Sequence, residues 1–143
     1  MIAERLAPES VRAVVTDPKV WPWVSEDGFH PDDYTPDPNG VYLKAGNGFM
    51  SFKPWTRGWW DVHIAMPRKS GRPDAEVLDC LRWMRENAGA VGFVARIPGE
   101  NIAAYKLATR VGFMLAGRIR GCVTRGGVEM DMYILELRYG TRR

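Results

Sequence analysis

Apolar and polar residues change rhythm along this chain, and each change predicts an element. Residues 9–16 (ESVRAVVT) suit a short helix. Residues 17–40 (DPKVWPWVSEDGFHPDDYTPDPNG) then lose all period and hold five prolines, which predicts a long irregular loop. Trp21, Trp23, Phe29 and Tyr34 would be costly in a disordered segment, so an ordered flap is expected there. VYLKA (41–45) and GFMSFK (48–53) flank Gly46-Asn47 and suit a tight hairpin. WWDVHIAM (59–66) alternates, with Val62, Ile64 and Met66 on one face and Asp61, His63 and Ala65 on the other.

Pro67 closes that strand, a basic turn follows, and residues 73–88 (PDAEVLDCLRWMRENA) switch to helical spacing. Val77, Leu81, Met84 and Ala88 form the apolar stripe, Pro73 fits the first turn and Gly89 the exit. VGFVARI (91–97) reads as a buried strand. Asn101 caps a second helix, IAAYKLATRV, which Gly112 ends. FMLAGRIRGCVT and VEMDMYILELR are two strands joined through Gly126-Gly127. This order predicts one mixed α+β domain over residues 1–143, with helices packed on a mainly antiparallel sheet. The strand–helix–strand unit from 59 to 97 holds the parallel pairing.

Composition narrows the class. The chain has 143 residues, 45% of them hydrophobic, and a net charge of +3, which excludes disorder as the dominant state. No apolar run approaches the roughly 20 residues that a bilayer demands. The first ten residues, MIAERLAPES, lack a signal peptide's apolar core, so a cytoplasmic location is expected. Cys80 and Cys122 lie in element interiors and read as small core residues of a reduced protein, with no metal site.

The candidate chemistry begins at the turn Arg68-Lys69-Ser70-Gly71-Arg72. A glycine-containing turn that runs into a helix start offers unpaired N–H groups at the positive end of the helix dipole. Three cationic side chains surround it, so it can cradle a phosphate or pyrophosphate.

Arg68-x-x-Gly71-x-Pro73 resembles the loop with which the GNAT acyltransferase superfamily grips the pyrophosphate of coenzyme A. Asn101-x-x-Ala104 followed by Gly112-Phe113 resembles that family's Asn-x-x-Ala…Gly-Phe signature, and the later GRIRG is also similar. The resemblance spans about residues 59–137 and is greatest to small phage-type members. It implies the GNAT fold, with helices on both faces of the sheet and a central parallel strand pair. It also implies an acetyl-CoA-dependent N-acetyltransferase, in which an amine attacks the thioester directly.

The same resemblance implies the site. Pantetheine would pair with the backbone of Ile64, Ala65 and Met66 and with the end of VGFVARI. Arg68, Lys69, Ser70, Gly71, Arg72 and Asp74 would meet the diphosphate, and Asn101 the pantetheine arm. The amine needs a base. His63 has the suitable unperturbed pKa, and Asp61 shares its face and could orient it or attract a cationic acceptor. Two departures stand out. Pro73 removes one phosphate-binding N–H. Ala108 occupies the place, seven after the asparagine, where many relatives carry a tyrosine acid; Tyr105 lies one turn earlier on the same helix and is the candidate to reach the leaving sulfur in its stead.

Asp131 and Tyr133 on the last hairpin, with Trp23 of the aromatic loop, are the expected acceptor-binding residues. Trp55, Trp59 and Trp60 are further candidate walls. The expected partner is a small-molecule or peptide amine. A homodimer is compatible with the sequence; nucleic acid and membrane are not expected, the basic charge being too small and dispersed. The alternative is a catalytically inactive GNAT-shaped protein that binds CoA or serves a phage particle.

Overall fold

The computed structural model describes residues 3–65 and 73–139. Its elements, in chain order, begin with α1 (Pro8–Val15), the single-turn α2 (Trp21–Val24) and a 3-10 turn (Pro31–Asp33). Strands β1 (Val41–Ala45), β2 (Gly48–Thr56) and β3 (Trp59–Ala65) follow, then α3 (Asp74–Ala88), β4 (Gly92–Pro98) and α4 (Ile102–Arg110). The hairpin of β5 (Met114–Arg125) and β6 (Val128–Arg138) closes the fold. The sheet runs β1-β2-β3-β4-β6-β5, and among the described residues only β3 and β4 pair in parallel. This is the expected α+β architecture.

Local signals place the helices well. Val77, Cys80, Leu81 and Met84 of α3 are buried, and Gly89 ends the helix in the left-handed region at φ 64°. Such a φ costs glycine nothing and other residues a clash with their own Cβ. Asn101 Oδ1 accepts the N–H of Ala104 at 3.1 Å and so caps α4. Pro73 stands at the cap position just ahead of α3, one residue earlier than its expected place inside the first turn.

Two cores result. The larger fills the space between the sheet and α3–α4, where Phe52 and Phe93 meet edge to face at 5.6 Å and Leu43, Leu81, Met84 and Leu135 are sealed from water. The smaller joins Val11 and Val15 of α1 to Val20, Tyr42, Phe49 and Ala65 on the opposite face. Helices therefore cover both faces.

Three readings need correction. The stretch 17–40, expected as an irregular ordered flap, holds two short regular turns, α2 and the 3-10 turn, because Pro22 and Pro31 supply the fixed φ of a first helical turn. Cys122 is exposed rather than part of the core, since β5 is the outer strand and bulges between Ile119 and Val123. Trp59 and Trp60 open β3, where they pair with Gly92 and Phe93, and Trp55 lies beside them in β2. That is the end of the sheet opposite to the one where β3 and β4 finish, so these three wall no cleft there.

Candidate active site

The parallel pair sets the geometry. β3 and β4 are in register from Trp59–Gly92 to Val62–Ala95, and their ladder then stops. Beyond that point β3 stays paired to β2 as far as Ala65, and β4 to β6 as far as Pro98. Among the described residues the inner edges of 63–65 and 96–98 are thus joined to no neighbouring strand, and a seam opens between them. Because both strands run the same way and each is followed in the chain by a helix, the starts of α3 and α4 lie at this end. The carboxyl end of a parallel pair is where α/β sheets admit ligands, and each helix start adds N–H groups without intrahelical partners.

One face of the seam carries a charged network. Arg96 grips Asp61 with two prongs, Nε to Oδ1 at 3.1 Å and Nη2 to Oδ2 at 2.6 Å. His63 Nε2 lies 3.5 Å from the same Oδ2. The Asp61 side chain is only 13% exposed, against 45% for His63 and 51% for Arg96. Burial pushes the Asp61 carboxyl up, but hydrogen bonds from His63 and Arg96 and their charges outweigh it and hold the group down to about 2. Asp61 is therefore an anion at every working pH, and a proton on His63 Nε2 points at it. Arg96 escaped the sequence reading because its partner lies 35 positions away, a pairing that only the parallel register creates.

A second network spans the chain. The Asp27 carboxylate accepts the N–H groups of Gly126 and Gly127, both at 2.9 Å, and the Asp27 N–H bonds to Thr124 O at 3.0 Å. Those two bonds lower the Asp27 carboxyl below its ordinary range. Arg125 donates through Nε to Ser25 O and through Nη1 to Glu100 at 2.8 Å. The segment after α2 is thereby clasped to the tip of the β5–β6 hairpin. Gly126 and Gly127 have φ of 57° and 75°, as a two-residue hairpin turn requires.

No protein-family profile matches the sequence, and none of the curated proteins does. Solved structures do match. A GNAT-family acetyltransferase from Bacillus anthracis superposes with a TM-score of 0.67 at 14% identity, over 91% of this chain and 87% of that one. Spermidine N-acetyltransferase from Vibrio cholerae, in complex with CoA and spermine, gives 0.74 at 12% identity over 95% and 94%. Ribosomal-protein-S5-alanine acetyltransferase from Vibrio fischeri gives 0.74 at 12% identity over 99% and 94%. The chain has the GNAT acetyltransferase fold.

Within this GNAT fold the expected site residues separate into groups. Asp61 and His63 come together, on the face that α1 covers further along the sheet. Ile64 and Ala65 sit on the open β3 edge. Asn101 stands at the start of α4, just past the end of β4, with its carbonyl already committed to the cap. Met66, Arg68, Lys69, Ser70, Gly71 and Arg72 lie outside the described residues. Asp74 is gripped by Arg110 of α4, at 2.9 and 3.1 Å, which offsets its negative charge at the start of α3.

Tyr105 packs edge to face on Tyr133 at 5.5 Å, and Ala108 is buried. Tyr133 and Asp131 therefore belong to the α4 face of β6, opposite to Asp61 and His63. Asp131 is engaged within the hairpin, accepting Gly121 N–H at 3.0 Å and lying 3.4 Å from Arg118. Trp23 is 51% exposed on α2. The alternation in β6 was legible in the sequence, but which face met which helix was not. A recess of about 330 Å³ between Arg82, Arg85, Glu86, Ala90 and Tyr139 lies at the far end of α3, away from the seam. No helix among the described residues is long and apolar enough to cross a membrane.

Proposed function

We propose that the protein is an acetyl-CoA-dependent N-acetyltransferase. The observation that carries this reading is the seam after Val62 and Ala95, flanked by two open strand edges and two helix starts, in a chain of GNAT fold. The residues fit a pantetheine thioester. The edges at 63–65 and 96–98 offer backbone N–H and C=O groups to an amide-bearing arm. The start of α3 faces the same end and suits phosphate.

Acetyl-CoA supplies an activated acyl carbonyl and a sulfur leaving group. The chain's own residues handle the proton. An attacking amine forms a C–N bond as the C–S bond breaks, and it must shed one proton. His63 receives that proton directly or through a water, while the fixed negative charge of Asp61 stabilises the imidazolium. Tyr105, held against Tyr133, contributes packing. The departing thiolate needs no acid, because a thiol with a pKa of about 8.5 is only modestly disfavoured as an anion near neutrality.

Calorimetry with acetyl-CoA tests the reading. Binding in the micromolar range, with a matching rise in Tm, is expected; no heat at millimolar cofactor removes it. The second reading, a CoA-binding protein without turnover, rests on buried Ala108 at the place of the family's tyrosine. Thiol release with a panel of amines separates the two.

A further inference from the structure

The Asp61–Arg96–His63 network restricts the kind of amine that fits, an inference that rests on the acetyl-transfer reading. Arg96 uses Nε and Nη2 for Asp61, which leaves the Nη1 edge of a half-exposed guanidinium turned to other partners. Among the described residues Asp61 is its one carboxylate partner. His63 Nε2 and Arg96 Nη2 meet at the same Asp61 oxygen, so a base and a cation stand within two contacts of each other.

The surroundings agree. Toward the open end this face carries His63 and Ala65 of β3, Pro98 of β4, and Met132 and Met130 of β6, none of them acidic. Nearby carboxylates are engaged elsewhere: Asp27 with Gly126 and Gly127, Glu100 with Arg125, Asp131 with Arg118 and Gly121. A polycationic acceptor would find no anion among the residues at the open end of this face, Glu136 of β6 lying toward the other end, beside Val94. A carboxylate would find Arg96, since guanidinium and carboxylate share a planar, two-pronged geometry. The half-buried Met130, Met132 and Ile134 add an apolar floor beside it.

We infer that the acceptor is a small amine that also bears a carboxylate and an apolar side chain, an amino acid in chemical class, with Arg96 receiving the carboxylate while the amine faces His63. Asp131, on the other face, takes no part in binding it.

The experiment measures thiol release from acetyl-CoA with the standard amino acids, their C-terminal amides, and spermidine. Acids with apolar side chains are expected to exceed their amides in kcat/KM by about 10- to 100-fold, the range for one charge-assisted hydrogen bond. R96K keeps a cation for Asp61 and so the fold, but loses the fork. It should erase most of that preference through KM, with acetyl-CoA affinity unchanged. Amides or spermidine accepted as well as the acids, no amino acid accepted while acetyl-CoA binds, or an unchanged preference in R96K would each overturn the inference and leave acetyl-CoA binding intact. Absence of acetyl-CoA binding by the wild-type chain would instead remove the acetyl-transfer reading itself.

Discussion

Asp74 at the first position of α3 and Arg110 at the last position of α4 are joined by two hydrogen bonds, of 2.9 and 3.1 Å. The pair ties the two helices on one face of the sheet. It also cancels a carboxylate at the helix start proposed to meet phosphate. R110A should therefore raise the Kd for acetyl-CoA about two- to fivefold, the scale of one exposed charge. The difference should shrink in high salt, as screening of exposed charges requires. Titration calorimetry at two ionic strengths reads both effects.

Asp61 predicts an acid limb in stability. Its carboxyl is held down to about 2 in the folded chain, against 3.8 for the unpaired group. A depressed carboxylate contributes stability that is complete above the unfolded value and lost as pH falls through the folded one. Unfolding free energy should therefore decline between about pH 4 and pH 2. D61N should be less stable by about 1 kcal/mol at pH 7, allowing for the exposure of Arg96. The two proteins should converge near pH 2, which urea unfolding across pH will check.

Tyr105 tests the division between packing and chemistry. Its ring rests on Tyr133, and thiolate departure needs no donor. Y105F should keep kcat within about twofold of wild type, since the interaction removed is not one made in the transition state. Y105A should lower Tm through lost packing. A large fall in kcat for Y105F, with unchanged Tm, would restore the hydroxyl to the mechanism.

Gly92 is a packing requirement. A Cβ there would stand 2.6 Å from three ring atoms of Trp59, whose ring the Arg138 guanidinium covers at 5.1 Å. G92A should cost about 1–3 kcal/mol, the usual scale of overpacking. Denaturant unfolding of G92A beside wild type measures it.

Much of the fold could be read from residues that act locally. Asn101, Gly89 and the Gly126-Gly127 pair mark their boundaries because a cap or a left-handed φ depends on near neighbours alone. The site was legible in part. Asp61 and His63 alternate into place on their own strand, but Arg96 joins them only once a crossover sets β3 beside β4. The faces of β6 show the same limit: a period of two says that Asp131 and Met132 part company, and only α4 decides which is which. Cys122 misled because a strand's residue pattern does not announce that the strand is an edge.

The clasp at Asp27 has a kinetic meaning. The main-chain protons of Gly126 and Gly127 sit on the carboxylate of a residue about a hundred positions earlier, so neither can exchange with solvent while the aromatic segment is shut. Deuterium uptake at two adjacent glycines thus times how often the segment after α2 lifts off the tip of the β5–β6 hairpin.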